Sequence, residues 1–253
     1  MYYVEMLYAR SRMLWYIGIT GVLALTFLYF VAFPPAGAHV RNEGQDVPMD
    51  PIFIGASFAA SIMASMLAAT LNRDQSHLAY MWTRPLSRVR IALNYIVVDI
   101  VTILLAYGWI VGLCFFVLSV PPLNHPIPDS QSIPILLRGI AVPLMLYAVV
   151  EVATSWSPQR LGAAIGIFWG AGWTSLILGE INLPVIGPLL RVINLFNPIA
   201  YFPDYHSHGV NVNVGPEIAH TSLLSFDFQT GLAYAICTIA LIVATYNWKR
   251  MEA

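Results

Sequence analysis

Apolar residues gather along this chain in six uninterrupted stretches, at 14–33, 52–71, 91–120, 135–155, 161–179 and 228–248, and polar residues collect between them. Each stretch is long enough to cross a hydrocarbon layer of about 30 Å at ~1.5 Å rise per residue. None alternates polar and apolar residues as a membrane barrel strand does, and an isolated strand leaves its backbone unpaired in lipid. The pattern predicts an all-α membrane protein with six transmembrane helices in a single domain over 1–253, accompanied by short interfacial helices.

Composition agrees, with 58% of residues hydrophobic and 10% charged, and a mean hydropathy of +0.69. Orientation follows from the positive charges, because cytoplasmic loops are rich in Lys and Arg. With the N-terminus inside, the inner side holds Arg10, Arg12, Arg73, Arg84, Arg88, Arg90, Arg160, Lys249 and Arg250, against Arg41, Arg138 and Arg191 outside. Nine against three places both termini in the cytoplasm and the loops 34–51, 121–134 and 180–227 on the other face. Eight of the 13 acids fall on that outer face. The first apolar stretch exceeds the 7–15 residues usual for a signal peptide and is read as a retained helix. Ahead of it, residues 1–12 mix Tyr, Met and Leu with Glu5, Arg10 and Arg12, which suits either a short helix lying in the inner interface or an ordinary aromatic-anchored flank.

Several function classes drop out. None of the six histidines lies in an apolar stretch, which removes haem ligation by paired intramembrane histidines. No H-E-x-x-H motif occurs, and no intramembrane serine is matched by a histidine in another stretch, so intramembrane proteolysis lacks its parts. There is no G-x-x-x-x-G-K-[ST], and the single lysine is Lys249, so any ATP-driven role needs a partner that binds the nucleotide. Cys114 and Cys237 both sit in apolar stretches and form no disulfide framework. A net charge of −1 gives no electrostatic case for nucleic acid.

Between the second and third stretches, residues 72–90 read N-R-D-Q-S-H-L-A-Y-M-W-T-R-P-L-S-R-V-R. A charged cluster, an apolar-aromatic helical turn and a T-R-P-L-S-R turn follow one another there. This order resembles the cytoplasmic coupling loop of type-2 ABC transporter permeases, in which a charged cluster precedes a helix and a Pro-aliphatic-Ser-Arg turn. By position, Arg73, Asp74 and Gln75 stand in the charged cluster, and Arg84, Pro85, Leu86, Ser87 and Arg88 in the turn. Ser76 and His77 replace the Gly-Thr pair common in the family, which alters the start of the loop helix. Independently of the likeness, Pro85 suits a break between helices, Ser87 can cap the third helix, and the arginines suit a phosphate-lined inner interface. The arginines serve equally to enforce topology alone.

The resemblance covers about 25 residues directly, helped by six spans and a length near 250 residues. It implies a permease subunit of an ATP-driven exporter in a bacterial cytoplasmic (inner) membrane. Two copies of a separate ABC ATPase would carry ATP and Mg and dock on 72–90, and a second permease copy would complete a homodimer or heterodimer, meeting through helices that include the first and fifth. No cofactor is expected on this chain itself, and membrane lipid is its surroundings. A membrane scaffold that anchors a soluble partner through the same loop is the alternative from another class. A third is an ion-coupled carrier built around Asp99, for which the halves show no internal repeat.

Other residues carry possible roles. Gly162, Gly166 and Gly170 recur every four residues in the fifth stretch, as do Ser57, Ser61 and Ser65 in the second, two small-residue stripes that permit close helix approach. Pro143 interrupts the hydrogen-bond ladder of the fourth. Asp99 and Glu151 are the acids inside apolar stretches, Asp99 roughly 14 Å in from Arg90 by helical rise. An intramembrane acid is costly, hence either functional or held by a local donor. Trp169 and Trp173 lie four apart and either line a hydrophobic substrate path or pack against protein and lipid. Residues 183–202 carry prolines that suit short re-entrant or interfacial helices. In Asp204-Tyr-His206-Ser-His208 an extended backbone puts three possible metal ligands on one face, but a fourth ligand at motif spacing is missing, so no metal is expected.

Overall fold

The structure, a computed structural model, describes residues 2–32, 47–68, 88–120, 126–127, 132–156, 166, 169–175, 192–201, 206–207, 210–211 and 226–250. Five long helices dominate: α1 (Tyr2–Ala32), α2 (Asp50–Ala68), α3 (Arg88–Leu118), α4 (Ser132–Trp156) and α5 (Phe226–Arg250). Each contains a segment long and apolar enough to cross a membrane. The chain is therefore a multi-pass, helical integral membrane protein. The remaining regular elements among the described residues are small. They comprise helical turns at 169–175 and 192–195, a 3-10 turn at Pro198–Tyr201, and the two-residue bridges β1 (Val47–Pro48), β2 (Pro126–Ile127), β3 (His206–Ser207) and β4 (Val210–Asn211).

Helix ends follow local chemistry. Pro51 lies in the first turn of α2, where its missing N–H is unneeded and its fixed φ suits the helix. α3 closes as Ser119 N–H and its hydroxyl both donate to Phe115 O, just before Pro121 and Pro122. At the other end of the chain the N-terminal segment is a helical flank continuous with the first span and not a separate interfacial helix. Residues from Tyr2 onward belong to the same helix as the first span, because no proline or glycine interrupts them before Gly18. A 31-residue helix is about 46 Å long, so α1 outruns the ~30 Å hydrocarbon layer. Of the fifth expected span, 161–179, only Gly166 and residues 169–175 are described, and they are helical.

Side-chain contacts give the helix directions. Arg12 on α1 meets Met66 O on α2, and Phe27 of α1 lines a groove with Pro51 and Ile52 of α2, so these two run antiparallel. Trp109 Nε1 donates to Thr20 Oγ1 at 3.1 Å, and Thr20 and Phe27 line the same groove as Ile110 and Val117, so α1 and α3 run parallel. Asp99 faces Tyr147 while Tyr107 faces Gly139, which makes α3 and α4 antiparallel. Tyr234 bonds Leu137 O and Asn247 bonds Ser155 Oγ, so α4 and α5 run the same way. The residues between α4 and α5 consequently carry the chain back from one end of the bundle to the other. β1 pairs in parallel with β2, joining the segment between α1 and α2 to the segment between α3 and α4.

Helices α2 and α4 form the centre, with 61% and 67% of their spanning windows buried. On α2 the alanines Ala56, Ala60, Ala64 and Ala68 are all fully buried, and Ser57, Ser61 and Ser65 run beside them. This face brings α2 against Ile103, Ala106 and Tyr107 of α3 and Leu146, Tyr147 and Val150 of α4 in one apolar core. A second core sets Ala141, Val142, Met145 and Ala148 of α4 against Ile199, Ala200 and Tyr201 and against Ala233 and Cys237 of α5.

Gly139 is a tight crossing. A Cβ there would stand 2.7 Å from the Tyr107 hydroxyl oxygen and 3.3 Å from Phe53 O. Gly139 is also the residue whose carbonyl loses its intrahelical donor to Pro143 four positions on. Gly139→Ala is expected to destabilise the protein by about 1–3 kcal/mol through overpacking. Because the Tyr107 hydroxyl has no hydrogen-bond partner, adding Tyr107→Phe should recover part of that loss. Thermal melts of the single and double variants in detergent check this, and the absence of any recovery would place the clash at Phe53 O.

Candidate functional site

One polar feature among the described residues lies where α3 and α4 face each other within the bundle. Asp99 on α3 is buried, and Tyr147 on α4 is fully buried. The Tyr147 hydroxyl donates to Asp99 Oδ2 at 2.9 Å. One helical turn along α4 lies Glu151, also fully buried, within electrostatic reach of Tyr147. From α1, the half-buried Arg12 donates through Nη1 to Met66 O on the last turn of α2. The Tyr147–Asp99 bond therefore joins α4 to α3 in buried surroundings, where a polar contact is little screened, and Arg12 joins α1 to α2.

A second polar group lies between the 169–175 turn and 192–201. Asn197 Nδ2 donates to Gly172 O (3.0 Å) and to Ser175 Oγ (3.1 Å), and Ile199 N–H donates to Asn197 Oδ1 (3.1 Å). Ser175 Oγ donates to Asn194 Oδ1 at 2.8 Å. The buried Arg138 closes the 3-10 turn from α4, Nε donating to Tyr201 O at 2.9 Å. Burial pushes the Tyr201 phenol up to about 12, with the Arg138 charge pulling the other way, so it stays protonated and donates to Leu195 O. Irregular backbone inside a membrane protein requires such internal partners, and these residues supply them. The described part of the expected re-entrant or interfacial segment, 192–201, is thus a pair of short helical turns held against α4 and α5.

The third feature is a groove of about 410 Å³ between α1 and α3, with Pro51 and Ile52 at its end and Cys114 on its wall. Its lining is apolar apart from Thr20, whose hydroxyl donates to Tyr16 O and accepts from Trp109.

The other sequence-derived candidates fall as follows. Trp169 Nε1 donates to Ser65 Oγ at 3.1 Å, and its ring meets Phe58 edge-on at 5.9 Å, so this tryptophan packs onto α2. Trp173, by contrast, is exposed. Ser65 and Ser61 each donate back to the carbonyl four residues earlier, and Ser57 Oγ is buried with no hydrogen-bond partner. The glycine stripe differs: Gly166 and Gly170 are exposed, and a Cβ at either meets nothing within 4 Å. Their close approach to another helix is therefore not made within the described part of this chain. Arg73, Asp74, Gln75, His77, Arg84, Pro85, Ser87, Gly162, Asp204 and His208 lie outside the described residues, whereas Arg88 opens α3 and His206 lies in β3. Among the described residues no group of three or more His, Cys, Asp or Glu side chains is arranged to hold a metal ion.

Sequence reasoning did not single out Arg12, Tyr147, Asn194, Asn197 or Gly139. The available signal for Tyr147 was a phenol one turn before Glu151 in an otherwise apolar helix, which must find a partner when buried.

Comparison with known proteins finds no matching family model, and no significant match among curated proteins or solved structures.

The Asp99–Tyr147 contact has a measurable consequence. Tyr147→Phe removes the donor and leaves a buried carboxyl oxygen unsatisfied, at a cost of about 1–3 kcal/mol. Asp99→Asn keeps an acceptor for the same hydroxyl and should cost less. Detergent melting curves in which Asp99→Asn is the more damaging of the two would contradict this ranking.

Proposed function

We propose that this chain is the membrane-spanning permease subunit of an ATP-driven transporter of the type-2 ABC class, an exporter of a bacterial cytoplasmic membrane. The observation that carries the reading is the order of residues in 72–90, from the Arg73-Asp74-Gln75 cluster to the Arg84-Pro85-Leu86-Ser87-Arg88 turn. The ends of that segment support it: α2 finishes at Ala68 with Arg12 bonded to its last turn, and α3 opens at Arg88. Force applied to the loop would therefore act on α1, α2 and α3 together. A sixth span at 161–179, crossing from the end of α4 towards the start of α5, accords with the parallel course of those two helices. With Lys and Arg concentrated on one side, both termini lie in the cytoplasm.

In this reading a separate ATPase binds ATP and Mg, docks on 72–90 and drives the bundle between access states, with a second permease copy completing the assembly. The chain supplies no nucleotide site of its own. The double variant Arg73→Ala with Asp74→Ala should insert normally yet co-purify several-fold less ATPase subunit. Undiminished co-purification would remove the docking assignment.

A second reading, an ion-coupled carrier, draws on the burial of Asp99 against Tyr147. Asp99→Asn keeps shape and hydrogen bonding but abolishes ionisation. If Asp99 takes part in turnover, transport should fall well beyond the loss in thermal stability. Full transport by that variant would leave Asp99 a structural acid.

A further inference from the structure

Polar groups left over from the helices meet at one crossing of α2, α3 and α4. Tyr107 on α3 and Ser57 on α2 are 4% and 0% exposed, and neither hydroxyl has a hydrogen-bond partner among the described residues. Ser57 is the exception in its stripe, because Ser61 and Ser65 each donate to the carbonyl one turn back whereas Ser57 does not donate to Phe53 O. On α4, Pro143 deprives the Gly139 carbonyl of the N–H four positions on. The Tyr107 hydroxyl oxygen and Phe53 O both lie within 3.3 Å of the point where a Cβ on Gly139 would stand. Helical side chains lean back over the preceding turn, which sets the Ser57 hydroxyl above the turn that carries Phe53 O. Helices α2 and α4 run the same way, so the step from Phe53 to Ser57 follows the direction in which the Gly139 carbonyl points.

We propose that this crossing is a binding site for one buried water molecule, held by the Tyr107 and Ser57 hydroxyls and by the Gly139 and Phe53 carbonyls. The donor and acceptor inventory selects the ligand. Two hydroxyl protons need an acceptor, and two carbonyls have lone pairs to offer, so the occupant must accept and donate in a space too small for a side-chain methyl. Water does both, and buried waters make roughly two to four such bonds. The four groups are all neutral, so a metal cation among them would be buried without a counter-charge from its ligands. A carbonyl freed by proline within a span is satisfied by a neighbouring side chain or by ordered water. The Tyr107 hydroxyl, packed against this glycine, does not donate to it, which leaves water. A glycine at 139 serves the same end, since a methyl group there would stand between the Tyr107 oxygen and Phe53 O. The water ties three helices together at the level of the proline break, about two turns of α4 from the Asp99–Tyr147 bond.

The test uses the full chain, carbon-13 and nitrogen-15 labelled, in lipid bilayers, with magic-angle-spinning NMR in which magnetisation starts on water. Transfer to the Gly139 Cα should build up several-fold faster than transfer to the Ala141 Cα, which is also buried, two residues along α4, but faces the other core. Ser57→Ala and Tyr107→Phe each remove one partner of the water, so each should slow the transfer at Gly139 and lower the melting temperature. Because the two hydroxyls share one ligand, the double variant should lose less than the sum of the two single shifts. In the Gly139→Ala background the methyl group closes the site, so there Tyr107→Phe relieves the clash and raises the melting temperature instead. If a variant does not assemble, the transfer rates in the unaltered chain decide. Transfer at Gly139 no faster than at Ala141 would overturn the site. Strictly additive shifts would overturn it too, by showing that the hydroxyls act separately. Coupled shifts without transfer from water would replace it with a direct Tyr107–Ser57 bond.

Discussion

In a hydrocarbon layer a polar group without a partner has no water to turn to, and the architecture of this protein follows from that constraint. It selects helices, because only a helix satisfies the backbone of an isolated span. It then governs where side-chain hydroxyls, amides and charges sit. Thr20, Thr26, Ser61, Ser65, Thr102, Thr174, Thr238 and Thr245 all donate to the carbonyl four residues back on their own helix. Groups that cannot be satisfied locally link elements: Trp109 to Thr20, Trp169 to Ser65, Tyr147 to Asp99, Asn247 to Ser155 and Arg138 to Tyr201. These links set the relative rotation and depth of the helices more sharply than apolar contact does, since lipid competes on equal terms for apolar surface.

Close approach is the second determinant, and it divides the small residues into two populations. The Ala56, Ala60, Ala64 and Ala68 face of α2, Gly139 on α4 and Gly172 each meet a neighbour. Gly172 is as confined as Gly139, because a Cβ there would stand 2.7 Å from Ile199 Cδ1 and 3.0 Å from Asn197 Oδ1. Gly18, Gly21, Gly108, Gly112, Gly166 and Gly170 meet nothing within 4 Å. Spacing by fours is thus shared by stripes that meet a neighbour among the described residues and stripes that do not. The difference lies in what the facing helix presents, a property of the partner and not of the stripe.

That distinction explains which parts of the molecule could be read from residue order. Apolar run length located five helices to within a few residues, apart from the start of α1, because length against bilayer thickness is a property of one segment at a time. Asp99 could be marked as significant for the same reason: an acid in an apolar run is anomalous without reference to anything else. Its donor could not be named, since Tyr147 lies 48 residues away and is brought opposite only by the antiparallel register of α3 and α4. Arg12 was counted for topology, where any basic residue on that flank serves, and its contact with Met66 O spans 54 residues. Gly139 was hidden for a related reason. Its demand for a small residue comes from Tyr107 and Phe53 on two other helices.

The parallel course of α4 and α5 bears on how the protein is assembled. Phe226 follows Trp156 by 70 positions (226 − 156), so at elongation rates of about 5–20 residues per second α5 begins to emerge roughly 4–14 s after α4 is complete. Throughout that interval the face of α4 formed by Ala141, Met145 and Ala148 lacks Ala233 and Cys237. Arg138, nearer the start of α4, also waits for the Tyr201 carbonyl. The newly inserted helix must therefore be sheltered, by the insertion machinery or by α2 and α3 already in place, until the chain that completes its surroundings has been made.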